Sequence, residues 1–206
     1  MALANLLSPF RFYTLAGVQQ VRLEADFYKG RWKNSLGRFY GPQPGRLIQE
    51  FLNWPNAPES VLLFTRRYGP LRHYARAGEE FGYKLSAWRD GQEQLRNLWR
   101  NIREVGLPIP GIHGAMAYES GRLVYWTYTL YSFLQMDLAT CPVERLRICL
   151  RPNCAQPYFI AHHLGQRYCS QLCAGWVQRE WKKKWWAENG SRWRKKYVKS
   201  NSRKRK

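Results

Sequence analysis

Hydrophobic positions along this chain change their period several times, and the changes outline its elements. Between residues 10 and 40, Val21, Leu23, Ala25 and Phe27 alternate with Arg22, Glu24, Asp26 and Tyr28. A period of two suits a half-buried strand. Gly30, Gly37, Gly41, Pro42 and Pro44 then punctuate a predicted loop. From Gly45 to Trp54, Leu47, Ile48, Phe51 and Leu52 recur at helical spacing, and Pro55 stops the run. A short apolar segment, Val61 to Phe64, leads to a turn at Tyr68-Gly69-Pro70.

Phe81, Leu85, Trp88, Gln92, Leu95, Trp99 and Ile102 step by fours and threes, which predicts the longest helix, ended by Gly106 and Pro108. That stripe reads as core rather than as a binding box. Ala115 to Ser120 and Arg122 to Thr127 flank Gly121 as a β-hairpin. A helix from about Thr129 to Ala139 follows, and Pro142 closes the first domain. The chain reads as α+β: residues 1–140 as one mixed domain, 141–189 as a small module and 190–206 as a disordered basic tail. There is no internal repeat.

Apolar residues at 45% and aromatics at 16% supply enough buried surface for a folded core, which excludes global disorder. The most apolar stretch, Leu123 to Leu138, is broken by Thr127, Thr129, Ser132, Gln135 and Asp137 and is too polar to span a bilayer. The opening MALANLLSPFRFYTLAG lacks the charged leader, apolar run and cleavage site of a secretory signal. A cytosolic location with reduced thiols is therefore expected. His73 and His113 are isolated, and residues 1–140 hold no acid pair, phosphate loop or nucleophile motif. No enzyme is expected from that domain.

The five cysteines carry the most specific signal. Cys149-Leu-Arg-Pro-Asn-Cys154 is followed, after fourteen residues, by Cys169-Ser-Gln-Leu-Cys173. Two local pairs deliver four soft ligands to a tetrahedral zinc while only one larger loop has to close. Pro152-Asn153 makes the first pair a knuckle. The second pair, four residues apart, sits on one face at the start of a helix. Knuckle plus helix start is the treble-clef arrangement, with Tyr158, Phe159 and Ile160 available for a small hairpin and miniature core. One structural zinc is predicted on Cys149, Cys154, Cys169 and Cys173. Cys141 is the odd thiol, a buried small residue near the domain boundary.

Neither spacing is the C-x-x-C of a redox pair. His162 and His163 read as loop surface. A catalytic zinc keeps an open position, whereas here four thiols fill the site and residues 155–168 contain no Asp or Glu. Zinc with four thiolates carries a formal charge of −2. Arg147, Arg151 and Arg167 either offset that charge or lie on solvated surface.

These residues also resemble a known family. The run from Cys149 to Cys154, then Tyr158-Phe159, Arg167-Tyr168-Cys169-Ser170 and Cys173 with a basic helix is similar to the bacterial CGNR zinc-finger family, over about residues 144–186. The resemblance implies an N-terminal regulatory domain of the ABATE type, sensing a small molecule or protein, and a role in transcription regulation. The family's Cys-Gly-Asn-Arg is here Cys173-Ala174-Gly175-Trp176, and the Cys169–Cys173 interval is one residue shorter. The zinc ligands carry over; the family's Asn and Arg do not.

Charge adds a partner. Thirty-four Lys and Arg face fourteen Asp and Glu, and residues 174–206 alone hold thirteen basic against two acidic side chains. Such a field favours polyanions. The helix after Cys169 is expected to run to about Glu188, with Asn189-Gly190 as its stop. Val177, Trp181 and Trp185 form a stripe for packing. Arg179, Lys182, Lys183 and Trp186 present charge and a stacking ring on another face. Arg192, Arg194, Lys195, Lys196, Lys199 and residues 203–206 form a flexible basic arm. The expected partner is nucleic acid, DNA ahead of RNA, with no membrane. A membrane-surface helix would not need a metal module as its anchor. The alternative is a protein–protein adaptor in which the finger is only a staple.

Overall fold

The computed structural model describes residues 12–14, 18–24, 27–32, 37–39, 45–72, 80–105, 114–119, 122–127 and 129–203. Two compact units meet between Leu146 and Arg147. Both helices and strands are present, as the α+β reading expects.

The first unit contains strands β1 (Phe12–Thr14), β2 (Val18–Glu24), β3 (Phe27–Trp32), β4 (Gly37–Phe39), β5 (Glu80–Lys84), β6 (Gly114–Glu119) and β7 (Arg122–Thr127). Its helices are α1 (Arg46–Asn53), α2 (Pro58–Tyr68), α3 (Leu85–Val105) and α4 (Leu130–Ala139). Strands β2, β3 and β5 form an antiparallel sheet in that order, β1 pairs with β4, and β6 pairs with β7.

The alternation read as one strand belongs to two. Glu24 pairs with Phe27 and Leu23 with Tyr28, so the chain doubles back. Ala25-Asp26, which lies outside the described residues, carries no Gly or Asn to flag the reversal. Gly30 and Gly37 lie in strands rather than in a loop. Gly41, Pro42, Pro44, His73, Gly106, Pro108, His113 and Gly121 lie outside the described residues. Val61 to Phe64 is the middle of α2, whose Pro58 stands at the helix start, where its missing N–H costs nothing. Phe81 belongs to β5, so α3 begins only at Leu85. The helix over residues 130–139 forms as expected, with Thr129 Oγ1 accepting from Ser132 N at 3.1 Å as its cap. The expected β6–β7 hairpin also forms.

Trp88 is the centre of the core. Its ring meets Phe51 and Phe64 edge-on, each at 4.8 Å between centroids. Ile48, Leu52, Val61, Leu95, Leu134 and Leu138 are buried with it. Such aromatic pairs add about 0.5–1.5 kcal/mol each beyond area burial.

Helix α1 is only eight residues long, too short to hold by itself, and residues distant in sequence satisfy both of its ends. Asp137 Oδ1 accepts from Gly45 N at 2.6 Å, and Oδ2 from Ile48 N at 2.9 Å. At the other end Gln92 Nε2 donates to the carbonyls of Phe51 (2.7 Å) and Trp54 (2.9 Å). Arg96 Nη2 donates to Leu52 O at 2.8 Å. Gly45 enters the helix at φ 81°, a left-handed conformation that strains any residue with a Cβ. Burial pushes the Asp137 carboxyl above the ordinary carboxylate range, and the backbone N–H groups oppose that shift. Asp137→Ala would leave the buried N–H groups of Gly45 and Ile48 without an acceptor. Stability should fall by about 2–4 kcal/mol, read as a lower urea midpoint with the slope unchanged.

Candidate metal centre

The second unit holds β8 (Leu146–Ile148), which begins at the junction, β9 (Tyr158–Ile160) and α5 (Gln171–Arg203). Strands β8 and β9 pair, and Cys149 N donates to Pro157 O at 2.7 Å just beyond them. The hairpin therefore encloses the first cysteine pair instead of lying between the two pairs. Its turn contains Asn153 at φ 55°, a left-handed position that Asn tolerates. The Pro152-Asn153 knuckle is formed as expected.

Backbone and side-chain bonds deliver the second pair. Leu150 N donates to Arg167 O at 3.2 Å. Gln166 accepts from His162 N at 2.8 Å and donates to Tyr168 O at 2.9 Å, which fixes the approach to Cys169. Ser170 Oγ accepts from Cys173 N at 3.3 Å and caps the first turn of α5. Beneath lies the expected miniature core: Cys149, Phe159, Ala161 and Cys173, with Cys154, Tyr168 and Cys169 packed against it.

The four sulfurs converge. Cys154 Sγ lies 3.6 Å from Cys169 Sγ and 3.7 Å from Cys173 Sγ, and Cys169 Sγ is 3.5 Å from Cys173 Sγ. All four, Cys149 included, lie within 4.8 Å of one another. A tetrahedral ion with bonds of about 2.3 Å would place its sulfurs about 3.8 Å apart. The donor set and the spacing both fit one metal ion.

Burial pushes the Cys154 and Cys169 thiols up. At Cys173 burial acts in the same direction, but bonds from Ser170, Arg151, Cys169 and Cys154 outweigh it and hold this thiol down to about 6. Cys141 stays apart from the cluster, buried, with its Sγ donating to Asp137 O at 3.1 Å. His162 and His163 are exposed.

Of the three arginines, Arg151 is the one that reaches the sulfurs. Its Nη1 lies 3.7 Å from Cys173 Sγ, and its guanidinium sits 5.1 Å from the centre of the Trp176 ring. Arg147 instead donates to Leu164 O at 3.2 Å, and Arg167 is exposed. Trp176, where the CGNR pattern has Arg, thus holds a cation beside the cluster through its ring face. Ser170 and Trp176 had no assigned role in the sequence. A Ser three residues before Cys173 is the cap signal that marks the first.

No family model, characterised protein or solved structure matches the chain. The likeness to CGNR fingers thus rests on the residues quoted above.

Helix α5 corrects the reading of the tail. It is the longest helix, at 33 residues, and passes through Asn189-Gly190 without stopping. Residues 190–203 are helical rather than a disordered arm, and only 204–206 lie outside the described residues. Trp185, Trp186 and Trp193 pack edge-to-face across this stretch, with centroids at 5.1 and 5.3 Å. Asn189 Nδ2 donates to Trp185 O at 3.2 Å, so the expected stop residue bonds back along the helix. The packing stripe is corrected too. Val177 is half-buried, but Trp181 is 70% exposed and Trp185 is also exposed. Arg179, Lys182, Lys183, Trp186, Arg192 and Arg194 are exposed along the helix, and Lys195 and Lys196 continue it. Lys183 pairs with Glu180 at 2.8 Å.

Protein purified without added metal should carry one ion per chain by elemental analysis. Replacing Cys149, Cys154, Cys169 or Cys173 with Ser should release it and open residues 147–175 to protease, because binding is part of this module's folding free energy. Cys141→Ser should leave metal content unchanged. Arg151→Ala should keep the ion but weaken its hold by about 10- to 100-fold in chelator competition.

Proposed function

We propose that this is a zinc-finger nucleic-acid-binding protein, a DNA-binding transcription regulator of the bacterial cytoplasm related to the CGNR fingers. In this reading zinc is structural and the chain is not an enzyme. The first unit senses a small molecule or a protein partner, and the second carries the contact to nucleic acid.

One observation carries the reading. A single compact unit, Arg147–Lys206, joins the cysteine cluster to a helix with ten Lys and Arg against two Glu. Cys173 lies in the first turn of that helix, so a bound ion fixes where its cationic surface begins. Phosphate contacts supply most non-specific affinity, and exposed Lys and Arg at helical spacing suit them. Among the described residues the metal-ligating group is four thiols with no carboxylate, which fills a tetrahedral site and supports a structural ion.

A second reading has its own support. Ile148 and Leu150 beside Cys149, Leu172 beside Cys173, and Leu164 between the two cysteine pairs are exposed, apolar side chains of the kind an adaptor would use.

Salt titrations separate the two. Removing residues 191–206 deletes nine positive charges. If about four of them meet phosphates, the slope of log affinity against log salt should shrink by roughly 3 to 4 on duplex DNA. The loss should be alike for unrelated sequences, since phosphate contacts position rather than specify. If that face of the helix enters a groove, substituting Arg179, Lys182, Lys183 and Trp186 together should erode preference among sequences as well as affinity. If the full chain binds no nucleic acid in a salt-sensitive way, the adaptor reading takes its place.

A further inference from the structure

Gly190 stands inside an exposed helix, where glycine is disfavoured relative to alanine. Its surroundings supply the reason. A Cβ at this position would come within 3.0 Å of Trp186 Cε3 and 3.8 Å of Arg194 Nη1. The Trp186 indole therefore lies close over bare backbone, where a Cβ would push it by a few tenths of an ångström. Trp186, Gly190 and Trp193 step by four and three and share one face. Arg179 and Lys183 continue that face towards the helix start, and both are exposed.

The indoles pack on one another, yet Trp186 stays 45% and Trp193 44% exposed. Rings held in place but left open to water present a surface rather than a core. Beside them Arg194 Nη1 lies near the Gly190 backbone, so a cation sits next to the two rings. Building on the nucleic-acid reading above, we propose that the Trp186–Gly190–Trp193 face of α5 is a stacking platform for unpaired bases. It thereby favours single-stranded nucleic acid over the duplex of the same sequence.

The charge and the rings together select this occupant. An unpaired strand brings a phosphate for each cation and a π-face for each ring. Duplex bases have their faces covered by neighbouring pairs, and an acidic peptide brings charge without flat faces.

The test uses full-length, metal-loaded protein and fluorescence anisotropy with four probes. These are a mixed-sequence strand of about 20 nucleotides, its duplex, an abasic strand of the same length and a polyglutamate peptide. The base-bearing strand should bind at least about fivefold more tightly than the abasic one, the margin of one stacked base. It should also bind more tightly than the duplex. Gly190→Ala should reduce the margin over the abasic strand while leaving abasic binding unchanged and helical circular dichroism equal or higher. Trp193→Leu, which keeps an apolar side chain but no flat ring, should reduce the same margin. Salt-sensitive binding that is equal for base-bearing and abasic strands overturns the platform and leaves the nucleic-acid reading standing. Retention of the margin in Gly190→Ala also overturns it, as does polyglutamate binding as tightly as the base-bearing strand. Absence of binding to every nucleic acid overturns the platform and the underlying reading together.

Discussion

Thiolates confined within 4.8 Å of one another repel unless a cation sits among them, and the second unit is arranged around that constraint. At an effective dielectric of 20, each close pair of unit charges costs on the order of 4 kcal/mol. A metal turns that repulsion into the strongest cross-link in the unit. The hairpin over residues 146–160 and the first turn of α5 share a small core: Phe159, Ala161, Tyr168 and the cysteines themselves. The Arg151 guanidinium adds positive charge from outside the cluster, held over Trp176. A module this small needs such a staple, because its apolar core alone is slight.

The first unit is built on a different economy. Its centre is aromatic, with Trp88 between Phe51 and Phe64, but α1 persists because polar side chains from α3 and α4 close both of its ends. Trp88 Nε1 and Gln92 Oε1 are buried there without a hydrogen-bond partner. Asp137, Gln92 and Arg96 reach α1 from about 40 to 90 positions away. These ties link helices that hydrophobic contact alone would let slide.

Much of this was legible in the sequence, and the failures have physical causes. The cysteine spacing pointed to the cluster because two pairs in short segments permit few other arrangements. The stripe from Leu85 to Ile102 and the capped helix after Thr129 were plain because period and punctuation agree. Phe81 was read as helical because its spacing continues the stripe by chance, while it lies in β5. Asn189-Gly190 was read as a stop because glycine usually terminates helices. Trp186 and Trp193 pack across that glycine within the same helix, a contact seven residues apart that a stop rule does not weigh. The Arg151–Trp176 pair was half-legible: Arg147, Arg151 and Arg167 read as charge offset or as solvated surface, and the ring that selects Arg151 lies a turn into α5. The packing stripe on Val177, Trp181 and Trp185 failed because an exposed helix carries a periodic pattern as readily as a buried one.

Helix α5 begins at a cluster of sulfurs and has no acidic residue in its first turn. Its backbone dipoles sum to a partial positive charge at that end and a partial negative charge at the other. With a divalent ion bound, the cluster bears net negative charge against the positive pole and does the work an N-terminal Asp or Glu would do. Lys199 and Arg203 fall at the other end of the helix, in its last described turns. A bound ion would thus balance the positive pole of the helix as well as anchor it. Loss of the ion would release that anchor and let the first turns fray towards the tryptophans.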